Sequence, residues 1–301
     1  VKREVLEKIY AGFLGMNAGI RLGAPVEPAF WDSENIRKYY GELHGYVKDY
    51  KHFAADDDAN GPVFFLRALD DMPVFGEPAP QDVAEAWLNY GREGVGLYWW
   101  GGYGVSTEHT AYLNLKNGIP APQSGSIHQN GKTLAEQIGG QIFIDTWGLI
   151  APADPTRAAR YAVTAASVSH DGEGLHGAAF MAAAISKAFE TSDMEEIIAA
   201  GLQQIPADCL YRKVFDAVER CYRNDPQDWR ACLAMLQAEW GYDKYPGVCH
   251  IIPNAGVCAL ALGAGVFGAM MQSGGFETMF VGMHRMLFIN NNWLLNPATD
   301  I

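Results

Sequence analysis

The sequence predicts an all-α fold in a single domain. Three observations carry this. Apolar residues recur with the helical period, as in Leu6, Ile9, Tyr10, Phe13 and Leu14 at i, i+3, i+4, i+7 and i+8. Helix-start signals recur along the chain, among them Asp154-Pro155 and Ser192-x-x-Glu195. No run alternates apolar and polar residues as a half-buried strand does.

Each element follows in order. The first helix runs through the apolar face from Leu6 to Leu14 and leads into a glycine-punctuated turn, Gly19 to Glu27. A second helix starts near Gly61-Pro62, because proline suits the first helical position, and continues through VFFLRAL. Asp82–Tyr90 is a short helix. Residues 94–131 hold GVGLYWWGGYG, further Gly and Pro, and little periodicity, so they read as a long irregular connection of the functional or mobile kind. Helices resume at Asp154-Pro155 and reach about Ser167. They continue over Leu175–Glu190, after the Ser192-x-x-Glu195 capping box, over Cys209–Arg223, from Asp225-Pro226 to Trp240, and over Asn254–Met271. The stretch Ala255–Met271 lacks polar side chains but falls just short of a membrane span, so it reads as a buried core helix.

Charge and cysteine usage narrow the class of function. The 301 residues carry 22 Lys and Arg against 35 Asp and Glu, a net charge of −13. That balance excludes general nucleic-acid binding and a polybasic membrane-surface role. It favours cations as partners, and it requires a local patch or a metal to meet an anionic substrate. The five cysteines, Cys209, Cys221, Cys232, Cys249 and Cys258, form no CxxC pair. An odd number at irregular spacing reads as free thiols in a reducing, cytoplasmic setting. The N-terminus is charged and amphipathic rather than a signal peptide. It begins with Val1 rather than Met, as a fragment or trimmed chain does.

Four segments could carry chemistry. In Asp56-Asp57-Asp58 three adjacent carboxylates repel one another unless a cation or solvent compensates, so the segment is either a hard-cation site or an acidic helix cap. The apolar flanks Phe53-Ala54-Ala55 and Val63-Phe64-Phe65 favour the cation. Gly12 to Glu27 lets backbone approach a ligand closely, with Glu27 as a general base, a lid carboxylate or a surface residue. Ser169-His170-Asp171-Gly172-Glu173-Gly174 offers His170 and Asp171 as ligand-binding or capping residues. Gly139-Gly140, at the head of a segment running to Leu149, suits either a ribose or phosphate against the backbone or tight helix packing. Tyr98 and Trp99 suit either base stacking or aromatic core. No Walker A motif, GxSxG elbow, HExxH or zinc-like Cys/His spacing is present.

Taken together and in this order, these segments resemble the ADP-ribosylglycohydrolase family. The family's glycine-rich turn ending in Glu is similar to Gly12–Glu27. Its Thr-Asp-Asp metal motif is similar to Asp56-Asp57-Asp58, with Asp56 where Thr is usual. Its substrate helix is similar to Gly139–Leu149, with Phe143 and Ile144 near the usual Met-Arg. Its Thr-His element is similar to Ser169-His170, and His250 to Ala255 to the start of its late helix. The closer resemblance is to bacterial members that carry the string SHDGEG. The family's second metal motif, an Asp-Thr-Asp after the last apolar helix, is missing: from Asn254 onward the only Asp is Asp300.

The resemblance implies an orthogonal helical bundle over 1–271 and an atypical tail over 272–301, such as a truncated or frame-disrupted coding region or a diverged member gives. It implies a hydrolase that cleaves the glycosidic bond between ADP-ribose and an acceptor, with ADP-ribose or an ADP-ribosylated substrate as partner. Two Mg²⁺ or Mn²⁺ ions belong to the family pattern, with one expected here. Asp56, Asp57 and Asp58 are the expected metal ligands, and Glu27 and Asp57 the expected catalytic residues. Gly139, Gly140, His170, Asp171, Tyr98 and Trp99 are the expected substrate contacts. The alternatives are a non-catalytic, nucleotide-binding or crystallin-like relative, and a metal-dependent hydrolase of another bond such as a phosphoester.

Overall fold

Helices supply the regular structure of the protein. The structure is a computed structural model and describes residues 2–23, 25, 33–40, 46, 57–72, 76–96, 98–225, 228–247 and 249–263. Apart from one antiparallel bridge between Gln137 and His250, no strand pairing occurs among them. Glu27, Asp56 and the tail 272–301 lie outside the described residues, as does the expected last helix beyond Gly263.

In chain order the helices are α1 (Arg3–Gly23), α2 (Ser33–Tyr40), α3 (Asp57–Asp71), α4 (Pro80–Tyr90), α5 (Thr107–Lys116), α6 (Ile127–Asn130), α7 (Lys132–Ala135), α8 (Gly139–Ile142), α9 (Asp145–Leu149), α10 (Pro155–Ala166), α11 (Glu173–Lys187), α12 (Met194–Leu202), α13 (Leu210–Asn224), α14 (Trp229–Trp240) and α15 (Ile251–Gly263). None is long and apolar enough to cross a membrane. The described residues gather into two compact units, one of residues 55–212 and 245–251, the other of the remainder. All five cysteines are free thiols.

The larger unit is built around α11. This helix is buried on nearly every face, and its run of Gly and Ala lets neighbours approach closely. Helices α8, α9, α10 and α12 pack on it. Its Phe180, Met181 and Ile185 join Trp87, Ile144, Trp147 and Tyr211 as fully buried side chains. Gly148 of α9 sits where a Cβ would come within 2.8 Å of Ile185, and Gly140 of α8 where a Cβ would come within 2.6 Å of the Gly174 carbonyl oxygen. Gly140 is therefore a packing residue of the α8–α11 contact.

Several starts differ from those read in the sequence. The cap of α12 is Asp193, whose carboxylate accepts from the N–H groups of Glu195 and Glu196 at 2.9 and 3.3 Å. A carboxylate suits a helix start better than the Ser192 hydroxyl of the expected capping box. Likewise α14 is capped by Asp228, accepting from Ala231 N–H, rather than starting at Asp225-Pro226. Asp154-Pro155 starts α10 as expected, with Asp154 accepting from Arg157 N–H.

In the smaller unit, α1 continues through the expected turn as far as Gly23. Its buried positions are Gly12, Gly15, Met16, Gly19 and Ile20. Leu6, Tyr10 and Leu14, expected on the core face, are 53%, 70% and 51% exposed. The small residues take the packed side because only they allow close approach of backbones.

The α8–α11 contact has a direct test. A methyl at residue 140 meets backbone, which cannot swing aside as a side-chain end can. Gly140→Ala is expected to cost about 1–3 kcal/mol, the range for overpacking a close-packed interior. Thermal unfolding reads this as a lowered Tm, and an unchanged Tm would show that the two helices are not in contact there.

Candidate active site

Asp57 and Asp58 are the first two residues of α3, so the acidic triplet ends at a helix N-terminus. Free N–H groups and the helix dipole favour negative charge at that end. Asp58 is only 3% exposed. The helix begins before the expected Gly61-Pro62 start and carries Pro62 in its interior. Tertiary contacts explain the difference. The Pro62 carbonyl accepts from Thr146 Oγ1 of α9 at 2.9 Å, and a Cβ on Gly61 would touch the Phe143 ring at 3.4 Å. Asn60, one turn in, donates from Nδ2 to the Gly96 carbonyl at 2.9 Å. The acidic end of α3 is thus fastened both to the segment after α8 and to the glycine-rich loop.

That loop is more ordered than its composition predicts. Residues 94–131, read as irregular, contain α5, a short 3-10 turn at Gln123–Gly125, and α6. Ser106 caps α5: its Oγ accepts from His109 N–H at 3.1 Å and donates to the Trp99 carbonyl. His109 then ties the loop down. Its Nδ1 accepts from Gly102 N–H at 3.0 Å, so its Nε2 carries the proton and donates to Glu93 at 3.1 Å. Within this frame Tyr98 is buried against Trp87 and Trp100, at ring separations of 4.6 and 5.2 Å. Trp99, next to it, is 47% exposed. Of the two expected stacking residues, Tyr98 belongs to the aromatic core and Trp99 presents an accessible ring.

The first turn of α5 also supplies Glu108, which sequence reading missed. It is buried, and its Oε1 lies 3.6 Å from Nε2 of His170. The signal was present, since Ser106 followed by Glu108 has the look of a capped, acid-first helix start. A glycine-rich neighbourhood hid it. His170 is 1% exposed, and its Nδ1 shares a 2.7 Å hydrogen bond with Ser169 Oγ. Burial pushes the imidazole down to about 3. It is therefore neutral at ordinary pH, and its approach to Glu108 is not an ion pair. Gly139 makes room for both groups: a Cβ there would fall 2.3 Å from Glu108 Oε1 and 2.9 Å from His170 Nε2.

The remaining expected residues divide by role. Asp171 accepts from Ile127 N–H at 3.0 Å and from Gly172 N–H at 2.7 Å, so its carboxylate clasps the turn between α10 and α11. Gly172 makes that turn possible. Its φ is +56°, and a Cβ would meet Glu136 Oε1 at 2.4 Å. Asp145, at the start of α9, is fully buried, and burial holds its carboxyl well above the usual range. Glu108 of α5, Gly139 of α8 and His170 thus meet, while α9 is tied to α3 through Thr146 and the Pro62 carbonyl.

The neutral imidazole has a consequence for stability. An unfolded histidine takes up a proton near pH 6.5, whereas folded His170 resists protonation until about pH 3. Between those values the unfolded chain binds the extra proton, so stability falls as pH drops through the window. Denaturant unfolding at a series of pH values should give a shallower fall for His170→Gln, by up to about 1.4 kcal/mol per pH unit. An identical slope would mean that this imidazole is not the titrating group.

No curated protein matches the chain. The family described as ADP-ribosylglycohydrolase matches residues 2–281, which takes in every motif discussed above and runs past Met271. With nearly the whole chain covered and an all-helical fold beneath it, the chain belongs to the ADP-ribosylglycohydrolase family.

Proposed function

We propose that the chain is a metal-dependent hydrolase that releases ADP-ribose from an acceptor by breaking its glycosidic bond. The observation that carries this reading is the buried Asp58 at the N-terminus of α3, with Asp57 beside it in sequence. Carboxylates at a buried helix start are an oxygen-only donor set, which fits Mg²⁺ or Mn²⁺ and not a soft metal. Asp57 and Asp58 would hold the ion, with Asp56 alongside. When bound, such an ion supplies Lewis acidity toward ribose hydroxyls and water.

The residues of the chain do the rest. The leaving of the acceptor gives the anomeric carbon oxocarbenium character, which nearby carboxylates stabilise. Glu27 gates the site or takes a proton from water. His170, neutral and backed by Ser169, offers a hydrogen bond to a ribose hydroxyl without adding charge. Trp99 offers an exposed face to the adenine. Gly139 keeps a side chain out of the space beside His170.

A second reading has one observation in its favour. From Asn254 to the end the only Asp is Asp300, so the family's second carboxylate motif has no counterpart. A relative that binds ADP-ribose without hydrolysing it satisfies that fact. The two readings part in one experiment. For the hydrolase, calorimetric titration with Mg²⁺ or Mn²⁺ followed by ADP-ribose should give metal-dependent binding, and an ADP-ribosylated substrate should yield free ADP-ribose. Asp57→Asn should weaken metal binding by at least about 10–100-fold, the loss that even an indirect partner of a metal causes. ADP-ribose affinity that survives EDTA, with no turnover, would establish the binder instead. Inorganic phosphate or AMP as product would establish a phosphoester hydrolase.

A further inference from the structure

A second cluster of ligand-type side chains lies just past the His170 turn and takes no part in the proposed reaction. Glu173 opens α11, His176 follows three residues later on the same helix, and Cys209 immediately precedes α13. One ligand atom from each lies within 4.8 Å of the others. We propose that Glu173, His176 and Cys209 form a binding site for a borderline-soft divalent cation of the zinc class.

The donor set argues for that class of ion. Thiolate, imidazole and carboxylate together suit Zn²⁺ or Co²⁺, whereas Mg²⁺ and Ca²⁺ take oxygen. Three protein ligands leave a fourth tetrahedral position for water. The site is accessible at His176, whose side chain is 27% exposed, while Cys209 is buried.

The surroundings hold each ligand in place. Glu173 accepts from Leu210 and Tyr211 N–H, both at 2.9 Å, and from His176 at 3.1 Å. Burial alone would raise this carboxyl, but those hydrogen bonds bring it below the usual range, so it is ionised. Its Oε1 accepts only from Leu210 and so retains a lone pair for a metal. Cys209 Sγ accepts from Arg212 N–H at 3.3 Å, at the N-terminal end of α13. His176 Nδ1 lies 3.1 Å from Glu173 Oε2, so imidazole and carboxylate already face one another. Tetrahedral coordination at about 2.0–2.3 Å needs donors roughly 3.3–3.8 Å apart, and these three lie within 4.8 Å of one another.

Cobalt supplies the test. The full chain, stripped with EDTA and then titrated with Co²⁺ alone, should bind one equivalent through this site, with a thiolate-to-cobalt charge-transfer band in the near ultraviolet. Zn²⁺ should displace the cobalt, bleach the band and raise Tm. Cys209→Ser should remove the band, and His176→Gln should weaken cobalt binding by at least about 10–100-fold. Asp57→Asn should leave the band intact, which separates this site from the carboxylate site. Wild-type protein without the band overturns the proposal whether or not the variants fold, and so does a band that persists in Cys209→Ser.

Discussion

Two absent side chains govern the larger unit. Gly140 lets α8 lie against the backbone of Gly174, and Gly139 leaves room where Glu108 and His170 meet. The helices concerned are short, α8 having four residues and α9 five, and neither has the length to be stable alone. They are held by burial, since every residue of both is buried. The same segment reaches α3 through Phe143 and Thr146. A strand of backbone only eleven residues long therefore connects the acidic start of α3 with the buried imidazole. Function in such a layout depends on packing first and on individual polar groups second.

The electrostatics follow from that packing. His170 and Asp145 are both titratable and both fully enclosed, and burial shifts each toward its uncharged form for the same reason: charge without solvent is costly. Asp171 and Glu173 keep their carboxylates where backbone N–H groups point at them. The chain thus places its acids in different settings: Asp145 enclosed, Asp171 and Glu173 held by backbone N–H groups, and Asp57 and Asp58 at the N-terminal end of α3.

Much of this was legible in the sequence where local chemistry decides. Asp154-Pro155 starts α10, and the periodic stretches became helices, because caps and periodicity act over a few residues. The Asp triplet and His170 stood out for the same reason, as unusual residues in unusual company. Glu108 did not, because its meeting with His170 is a contact between segments sixty residues apart. Nor did the true burial of α1, where Gly15 and Gly19 face inward and Tyr10 outward. Hydrophobicity alone ranks tyrosine above glycine, but close packing reverses the order. The acidic start of α3 was displaced from the proline signal because Thr146 and Phe143 act on it from another helix. Cys209 read as an isolated thiol, since its nearness to Glu173 and His176 arises only when the chain at residues 209–211 returns to the start of α11.

The turn at Gly172 links the two groups of ligand-type residues. Its positive φ reverses the chain between His170 and Glu173, and Glu136 fills the space a Cβ would need. Glu136 also accepts from Glu173 N–H at 3.2 Å and contacts His250 at 3.3 Å. On one side of the turn His170 faces Gly139 and Glu108; on the other Glu173 holds the first N–H groups of α13. Any cation gripped by Glu173 and His176 would stiffen the start of α11, and with it the turn that sets the position of His170. The soft-donor cluster is therefore placed to brace the turn at Gly172 and, through it, the position of His170.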